Sequence, residues 1–209
     1  MQAPNPGTQN PASRPGFAGE NATGKAHPYD NAHRTDALSQ PDFNDAQNFL
    51  DLIDPTASGF NFRSFNDAKD RPRDHGNKFN GTLAAVATAL ERDNRARRGV
   101  FVVVNGGGDT DSAISSIRAV FADTDGAPLA PILSCGLSPH IVVETSPGRW
   151  HVYWTVTGLE ACDFRAIQRR IAYRFGTDRT IINPSRVMRL PGFDHHKGEP
   201  FRALTIRES

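Results

Sequence analysis

The sequence predicts an α+β domain in which helices flank a small antiparallel or mixed sheet. Segments with apolar residues at helical spacing alternate with short β-branched segments, and two of the latter are joined by a Ser-Pro-Gly turn typical of a hairpin. No internal repeat is visible, and no apolar stretch approaches the roughly 20 residues needed to cross a bilayer. We therefore expect one folded domain, over residues 42–209.

Residues 1–41 differ from the rest of the chain in composition. They are rich in Pro, Gly, Asn, Ala and Ser and contain few large apolar side chains. Such a segment cannot bury enough apolar surface to offset the entropy lost on ordering it. We predict a disordered N-terminal tail here.

The first half of the domain has helix and strand signals with clear boundaries. Asp42 can cap a helix whose apolar residues recur at helical spacing, and Pro55 can end it. The segment 99–105 is too short and too β-branched for a helix, and a run of three glycines ends it. The predicted elements are a helix over 43–53, a strand over 59–63, a helix over 82–94 and a strand over 99–105.

The second half predicts more strands and one long helix. The Ser146–Gly148 turn separates two hairpin strands. The helix has Asp163 at its cap and Gly176 at its C-terminal end. The predicted elements are strands over 117–125, 141–144 and 150–154, a helix over 163–175, and closing strands over 187–190 and 201–206.

Charge and cysteine content limit the class of protein. The formal net charge of +1 excludes a uniformly basic surface, but residues 163–209 carry ten Lys or Arg against five Asp or Glu. That local excess suits a phosphate-bearing partner, although a solvated basic face is the ordinary alternative. The two cysteines, Cys135 and Cys162, form no metal or disulfide pattern, and no secretion signal is visible. We expect a soluble, cytoplasmic protein with no membrane partner.

Asp123 and Asp125 are the most informative residues. They close the apolar run 117–122 and precede Gly126. Because side chains alternate along a strand, both carboxylates are predicted to point the same way. Two like charges side by side repel unless a cation lies between them, and Mg²⁺ prefers oxygen ligands. A polar turn after a strand is the alternative, since Asp and Gly are ordinary turn residues.

Two further segments offer groups that bind phosphate. On the second hairpin strand, Arg149, His151 and Tyr153 share one face and are expected to point into a cleft, opposite a face of Trp and Val that suits a core. Guanidinium groups bind phosphate through paired hydrogen bonds, and Lys supplies a point charge. A downstream segment therefore suits the opposite half of a nucleotide site. It contains Arg186, Arg189, His195, His196 and Lys197.

These residues resemble the RepB-like primase family of plasmids and phages, within the archaeo-eukaryotic primase superfamily. The similarity spans roughly residues 45–206 in the family's order. It is carried by 99–105, 118–126, 143–154, Asp178 and 185–193. The resemblance implies an RRM-like primase catalytic core, in which helices pack on a small sheet, and a metal-dependent nucleotidyltransferase activity.

The resemblance also implies roles for individual residues. It makes Asp123, Asp125 and Asp178 the catalytic carboxylates, holding two Mg²⁺ or Mn²⁺ ions, and His151 a contact to the phosphates of the incoming nucleotide. Arg186, Arg189 and Lys197 would bind phosphate as well. So would Arg149, which stands where the superfamily often has Ser. For the third carboxylate, Asp163 and Asp194 are alternatives, and Asn183 stands where some relatives carry an acid.

The implied function is that of a DNA primase or primase-polymerase. It would synthesise primers on a single-stranded DNA template from NTP or dNTP in plasmid or phage replication. The glycines at 106–108 lack the Lys of a helicase phosphate loop. We therefore expect a separate replicative helicase, the alternative being that the chain is a fragment of a longer protein. One alternative is a non-catalytic nucleic-acid-binding replication protein. A relaxase or nuclease is disfavoured, because adjacent His195 and His196 would face opposite ways on a strand.

Overall fold

The structure is a computed structural model that describes residues 40–67, 72 and 74–208. The predicted tail lies, apart from residues 40 and 41, outside the described residues, so that prediction and the domain boundary stay predictions. Within the described ranges, no helix is both long enough and apolar enough to span a membrane.

Four helices and twelve strands make up the described fold. The helices are α1 (Phe43–Ile53), α2 (Leu83–Arg95), α3 (Ala130–Leu133) and α4 (Ala161–Phe175), with a 3₁₀ turn at Asp111–Ala113. The first six strands are β1 (Phe60–Asn66), β2 (Asn77–Gly81), β3 (Arg98–Val103), β4 (Gly106–Gly107), β5 (Ile114–Ser116) and β6 (Ala119–Asp123). The others are β7 (Ile141–Ser146), β8 (Arg149–Thr155), β9 (Val187–Arg189), β10 (Asp194–His195), β11 (Phe201–Arg202) and β12 (Leu204–Glu208).

The strands form two four-stranded sheets and two small ribbons. One sheet has the order β2-β1-β3-β9 and the other β12-β7-β8-β6, while β10-β11 and β4-β5 pair separately. Every pairing among the described strands is antiparallel. The predicted α+β class with small antiparallel sheets is confirmed, but the strands divide into two sheets instead of one.

Helix α1 packs on the second sheet. The Asp42 side chain accepts hydrogen bonds from the backbone N–H groups of Asn44 and Asp45, which is the predicted cap. The helix buries the apolar face that its sequence spacing predicts. From that face, Phe49 meets Tyr153 of β8 edge-on, with ring centroids 5.1 Å apart.

Helix α4 closes the free edge of the second sheet. The strand β6 is at the end of its sheet, and an unpaired buried edge is costly. The buried Gln168 amide accepts a hydrogen bond from the Phe121 N–H and donates one to the Phe121 carbonyl, both at 3.0 Å. The helix is thereby fixed alongside the strand that leads to Asp123.

The boundaries of α4 partly match the prediction. Gly176 ends the helix with a φ of +65°, as expected of a left-handed C-terminal residue. The predicted cap at Asp163 is wrong, because Glu160 is the cap residue and Asp163 lies in the first turn. An acid in the first turn is favoured by the helix dipole, so the residue type fits the position without capping it.

The second hairpin strand is buried on both faces. Trp154 and Val152 lie in the core as predicted, but Tyr153 on the other face is fully buried as well. The expectation that Tyr153 points into a cleft is therefore wrong, because α1 covers that side of the sheet. Burial raises the pKa of Tyr153 well above its usual value, so its hydroxyl stays protonated.

Candidate active site

A pocket of about 580 Å³ is lined by residues of both four-stranded sheets. Residues at the end of β6 and on β7 and β8 form one wall, and residues on β3, β9 and the following loop form the other. Seven of the eight predicted site residues line it: Asp123, Asp125, Arg149, His151, Arg186, Arg189 and Lys197. The eighth, Asp178, does not.

Asp123 is the last residue of β6 and pairs in register with His151 of β8. Its Oδ2 lies 3.5 Å from His151 Nε2, and its Oδ1 accepts a hydrogen bond from the Asp125 N–H at 3.0 Å. Burial alone would raise the pKa of Asp123. The contact with His151, the Asp125 N–H and the charge of Arg186 outweigh burial and lower the pKa below its ordinary value. The carboxylate is therefore ionised at neutral pH.

Asp125 reaches the same pocket through a turn. The predicted strand to residue 125 is wrong in this detail, because β6 ends at Asp123 and Asp125 has a φ of +40°. This left-handed conformation is uncommon outside glycine and is held here by the hydrogen bond to Asp123. The Asp125 carboxylate forms an ion pair with Arg149, and both side chains are more than half exposed.

Asp178 lies beside Asp123 through its backbone. Its N–H donates to the Asp123 carbonyl at 3.0 Å. Its carboxylate instead accepts from the N–H and the hydroxyl of Thr180, at 2.8 and 2.9 Å. Accordingly, no three Asp, Glu, His or Cys side chains within the described ranges are grouped so that they could hold a metal ion.

The alternatives for a third carboxylate lie away from the pocket lining. Asp194 is buried and accepts a 2.6 Å hydrogen bond from Arg202. Asp163 is exposed on α4. Asn183 donates to Asp111 and Ser185. Of these candidates, Asp178 has the direct backbone link to Asp123.

The donor chemistry of Asp123 and Asp125 fits a hard divalent cation. Mg²⁺ is commonly bound by one or two carboxylates, with water and substrate phosphate completing its shell. Two carboxylates on one wall of the pocket satisfy that requirement for one ion. Arg149 already occupies the Asp125 carboxylate, so a cation and this guanidinium would compete for it.

Arg186 and Lys197 provide positive charge on the opposite wall. Among the described residues, neither side chain forms an ion pair, so both charges are available to a ligand. The segment before Arg186 is held by the buried Asn105, whose amide donates to the Pro184 carbonyl at 3.0 Å. The same side chain accepts from the Arg118 N–H at the start of β6.

Arg189 lines the pocket but is not free. It is 4% exposed, and its two terminal nitrogens lie 3.0 and 3.1 Å from the Asp67 carboxylate. Its guanidinium also lies over the Phe101 ring, 4.6 Å from the centroid. Asp67 therefore already compensates the positive charge of Arg189, which the sequence analysis expected to bind phosphate.

His195 also lines the pocket, although the sequence placed it only in the basic cluster. Burial lowers its pKa to about 4, and the charges of Arg189 and Lys197 act in the same direction. The imidazole is therefore neutral at pH 7 and can exchange hydrogen bonds with a ligand without adding charge.

Sequence reasoning missed several other residues of the lining, among them one on β3 and two at the end of β7. Phe101, Thr145 and Ser146 complete parts of the walls. The turn at Ser146 was visible as a turn, and its position just before Arg149 was the available signal. The strand containing Phe101 was predicted, but nothing local indicated which of its faces would meet the pocket.

Comparisons with known proteins also draw attention to the part of the chain that contains the candidate site. The family model described as the RepB DNA-primase N-terminal domain matches residues 114–204, which include the predicted site residues Asp123, Asp125, His151 and Asp178. No curated protein matches.

Three solved structures have a similar fold. The archaeo-eukaryotic primase domain of the cyanophage S-2L primase-polymerase is 27% identical, with a TM-score of 0.64 over 82% of this chain and 92% of that one. A crystal structure of primase RepB′ is 18% identical, with a TM-score of 0.62 over 79% of this chain and 56% of that one. The catalytic domain of primase RepB′ in complex with initiator DNA is 17% identical, with a TM-score of 0.57 over 78% and 85% of the two chains.

The fold is thus that of a primase catalytic domain. Primase RepB′ extends further, since this chain spans only a little over half of it. The resemblance to RepB-like DNA primases drawn from the sequence is confirmed, and the matched family model covers every residue that lines the pocket except Phe101.

Proposed function

We propose that the chain is a primase-polymerase that transfers nucleotides to a primer on single-stranded DNA. One observation carries the proposal: the carboxylates Asp123 and Asp125 line the same pocket of about 580 Å³ as Arg186 and Lys197, two cations without an ion pair among the described residues. Such a pocket has the size of small-ligand sites, and its charge pattern suits a triphosphate bound with a cation.

The side chains divide the work of binding. Arg186 and Lys197 would bind the triphosphate and stabilise charge that develops during transfer. His151, which contacts Asp123, would donate a further hydrogen bond to phosphate. Neutral His195 and the aromatic ring of Phe101 line the same wall and would set the orientation of the nucleotide.

Asp123, Asp125 and Asp178 would hold two Mg²⁺ or Mn²⁺ ions. When bound, these ions would activate the 3′-hydroxyl and neutralise charge on the triphosphate and leaving pyrophosphate. Asp123 is ionised and ready for this role, whereas Asp125 must release Arg149. The Asp178 carboxylate must release Thr180. Only its side chain has to move, because its backbone already lies beside Asp123.

The proposed partners follow from this activity. The chain would use NTP or dNTP, bind a single-stranded DNA template, and cooperate with a separate replicative helicase in plasmid or phage replication. Two of the similar structures support this context: one comes from a cyanophage primase-polymerase, and another contains a primase with its initiator DNA.

The decisive test is primer synthesis on single-stranded DNA with labelled nucleotides and either Mg²⁺ or Mn²⁺. Asp123→Asn and Asp125→Asn should each abolish the product, while the exposed Asp163→Asn serves as a charge-matched control and should retain it. Thermal unfolding of all three variants should match wild type within a few degrees. Full activity in both pocket variants would reject the proposed role of the carboxylate pair.

A second candidate function is non-catalytic binding of nucleic acid. It is favoured by the engagement of the Asp178 carboxylate with Thr180, which keeps it from forming a three-ligand metal cluster with other described residues. Under this alternative, the chain binds single-stranded DNA in a salt-dependent way but forms no product with either metal.

A further inference from the structure

The outer side of helix α4 carries an unusual concentration of positive charge. Between Asp163 and Asp178 the chain has four arginines and no acid. All four are exposed, and one of them, Arg165, lies 3.7 Å from Asp111. The other three form no ion pair with any residue that the structure describes.

These three arginines surround an exposed aromatic ring. Tyr173 is 79% exposed, one of two large hydrophobic residues with high exposure in the described chain. We call Arg169, Arg170, Tyr173 and Arg174 the α4 basic face. Phosphate-binding arginines beside an exposed aromatic ring form the usual combination for binding single-stranded nucleic acid, because the ring can stack on a base.

The arrangement is unfavourable for the helix by itself. Arg165 and Arg169 are four residues apart, as are Arg170 and Arg174, so each pair places like charges on neighbouring turns. Only Arg174 gains from the negative end of the helix dipole. A polyanion lying along the helix would remove this repulsion, which an uncharged or basic partner could not do.

The α4 basic face leads toward the candidate active site. Gln168 fixes α4 beside β6, the helix ends at Gly176, and the Asp178 N–H then bonds the Asp123 carbonyl. From Arg169 to Arg174 the helix rises about 7.5 Å, a distance that spans about two phosphates of a stacked strand. A strand following this face toward the C-terminal end of α4 would approach the pocket.

We propose that the α4 basic face binds the phosphate backbone of single-stranded DNA beside the pocket. This inference rests on the proposed function and adds a surface to it. The face binds largely without regard to base sequence, since arginines contact phosphate and Tyr173 stacks on any base.

An apolar pocket of about 640 Å³ lies next to this face and suggests a protein partner as the rival occupant. Of the four residues of the face, only Arg174 lines it. Its aromatic lining is already engaged, because the Trp154 and Phe175 rings stack on each other and Arg174 lies over Phe175. Arg169 and Arg170 have no ion-pair partner in the part of the chain that the structure describes, and their charge therefore favours the nucleic acid.

The test compares two triple variants with the same change in charge. Arg169→Gln/Arg170→Gln/Arg174→Gln removes the proposed contacts. Lys78→Gln/Arg92→Gln/Arg95→Gln removes three cations that are equally exposed but already paired with carboxylates. Binding of a fluorescein-labelled 20-nucleotide oligothymidylate is measured by anisotropy between 50 and 200 mM salt, on the full chain.

The α4 triple variant should bind at least about tenfold more weakly at 50 mM salt. Its slope of log affinity against log salt should fall by about 2, since each lost contact to a single strand removes about 0.7. The control triple should stay near the wild-type slope. Tyr173→Ala should lose at least about fivefold in affinity with an unchanged slope. Binding of a fluorescent ATP analogue to the pocket should be unaffected in all variants.

The outcomes separate this inference from the proposed function. If wild type binds the oligonucleotide and makes primers but the α4 triple variant binds equally well, the surface is rejected and the primase function stands. The α4 basic face would then belong to another partner, such as an acidic protein segment. If wild type neither binds the oligonucleotide nor makes primers, both proposals fail.

Discussion

The backbone N–H of Asp178 donates to the carbonyl of Asp123 at 3.0 Å, and this bond joins the loop after α4 to the end of β6. The two residues are 55 positions apart in the chain, and helix α4 lies between them in sequence. Their carboxylates nevertheless have different partners, since Asp123 faces His151 and Asp178 bonds Thr180.

Asp178→Asn should remove activity without unfolding the protein. The amide oxygen can still accept from Thr180, so the local turn is retained while the negative charge is lost. We expect primer synthesis to fall at least about a hundredfold, because a metal ligand carries charge that an amide lacks. The melting temperature should change by less than a few degrees. Unchanged primer synthesis would remove Asp178 from the proposed metal ligands.

Gln168→Leu should destabilise the fold strongly. Its amide satisfies the Phe121 N–H and carbonyl and the Ile181 carbonyl, all in the interior. Leaving buried backbone groups unpaired costs about 1–3 kcal/mol each, so we expect a loss of about 3 kcal/mol in the free energy of unfolding. Urea denaturation measures it. The exposed Gln47→Leu on α1 is the control and should change stability by less than about 0.5 kcal/mol.

Arg189→Met should cost about 3–5 kcal/mol, since it leaves the Asp67 charge buried and unpaired. Arg189→Met/Asp67→Asn should recover much of this loss, because the amide can still accept from the His196 N–H. Urea denaturation of both variants tests the pair. If Arg189→Met were as stable as wild type, another group would have to compensate the buried Asp67 charge.

The same pair predicts a pH dependence. Burial would raise the pKa of Asp67, but the charge and hydrogen bond of Arg189 outweigh it and lower the pKa. A carboxyl with a depressed folded pKa adds stability above its unfolded pKa and loses it as pH falls through the folded value. The difference in the free energy of unfolding between wild type and Arg189→Met should therefore narrow as the pH is lowered below the pKa of an ordinary Asp. Urea denaturation at a series of pH values measures it.

His195 should titrate near pH 4 in the folded protein, well below an ordinary histidine. Because its folded pKa is depressed, the unfolded chain binds the proton first, and stability should fall as pH drops from about 6.5 to 4. Besides burial, the neighbouring charges of Arg189, Lys197 and His196 lower the pKa of His195, whereas the charge of Asp67 raises it. NMR titration, with His195→Gln to assign the signal, measures the value. Titration close to 6.5 would contradict the buried neutral state.

Local signals in the sequence predicted the elements well. The Asp42 cap and the Gly176 end depend on residues a few positions away, and the structure confirms both. The grouping of Asp123, Asp125, His151 and the downstream cations in one pocket also followed from motif order and chemistry. Their catalytic and metal-binding roles stay predictions.

The features that the sequence did not predict depend mostly on distant parts of the chain. Tyr153 is buried because α1, about a hundred residues earlier, covers its face of the sheet. Arg189 is neutralised by Asp67, 122 positions away, which no local pattern indicates. The turn at Asp125 arises from a side-chain hydrogen bond that competes with strand geometry. Side-chain alternation along a strand therefore predicted the correct wall of the pocket for Asp125, although Asp125 is not in the strand.

The buried amide of Asn105 connects the strand that ends in Asp123 to the loop that carries Arg186. One side chain therefore serves as the common reference point for both walls, and neither can shift alone without breaking a bond to it. Asn105 is not among the residues that line the pocket, so a substitution there would alter the spacing between the negative and positive groups without changing any group of the lining.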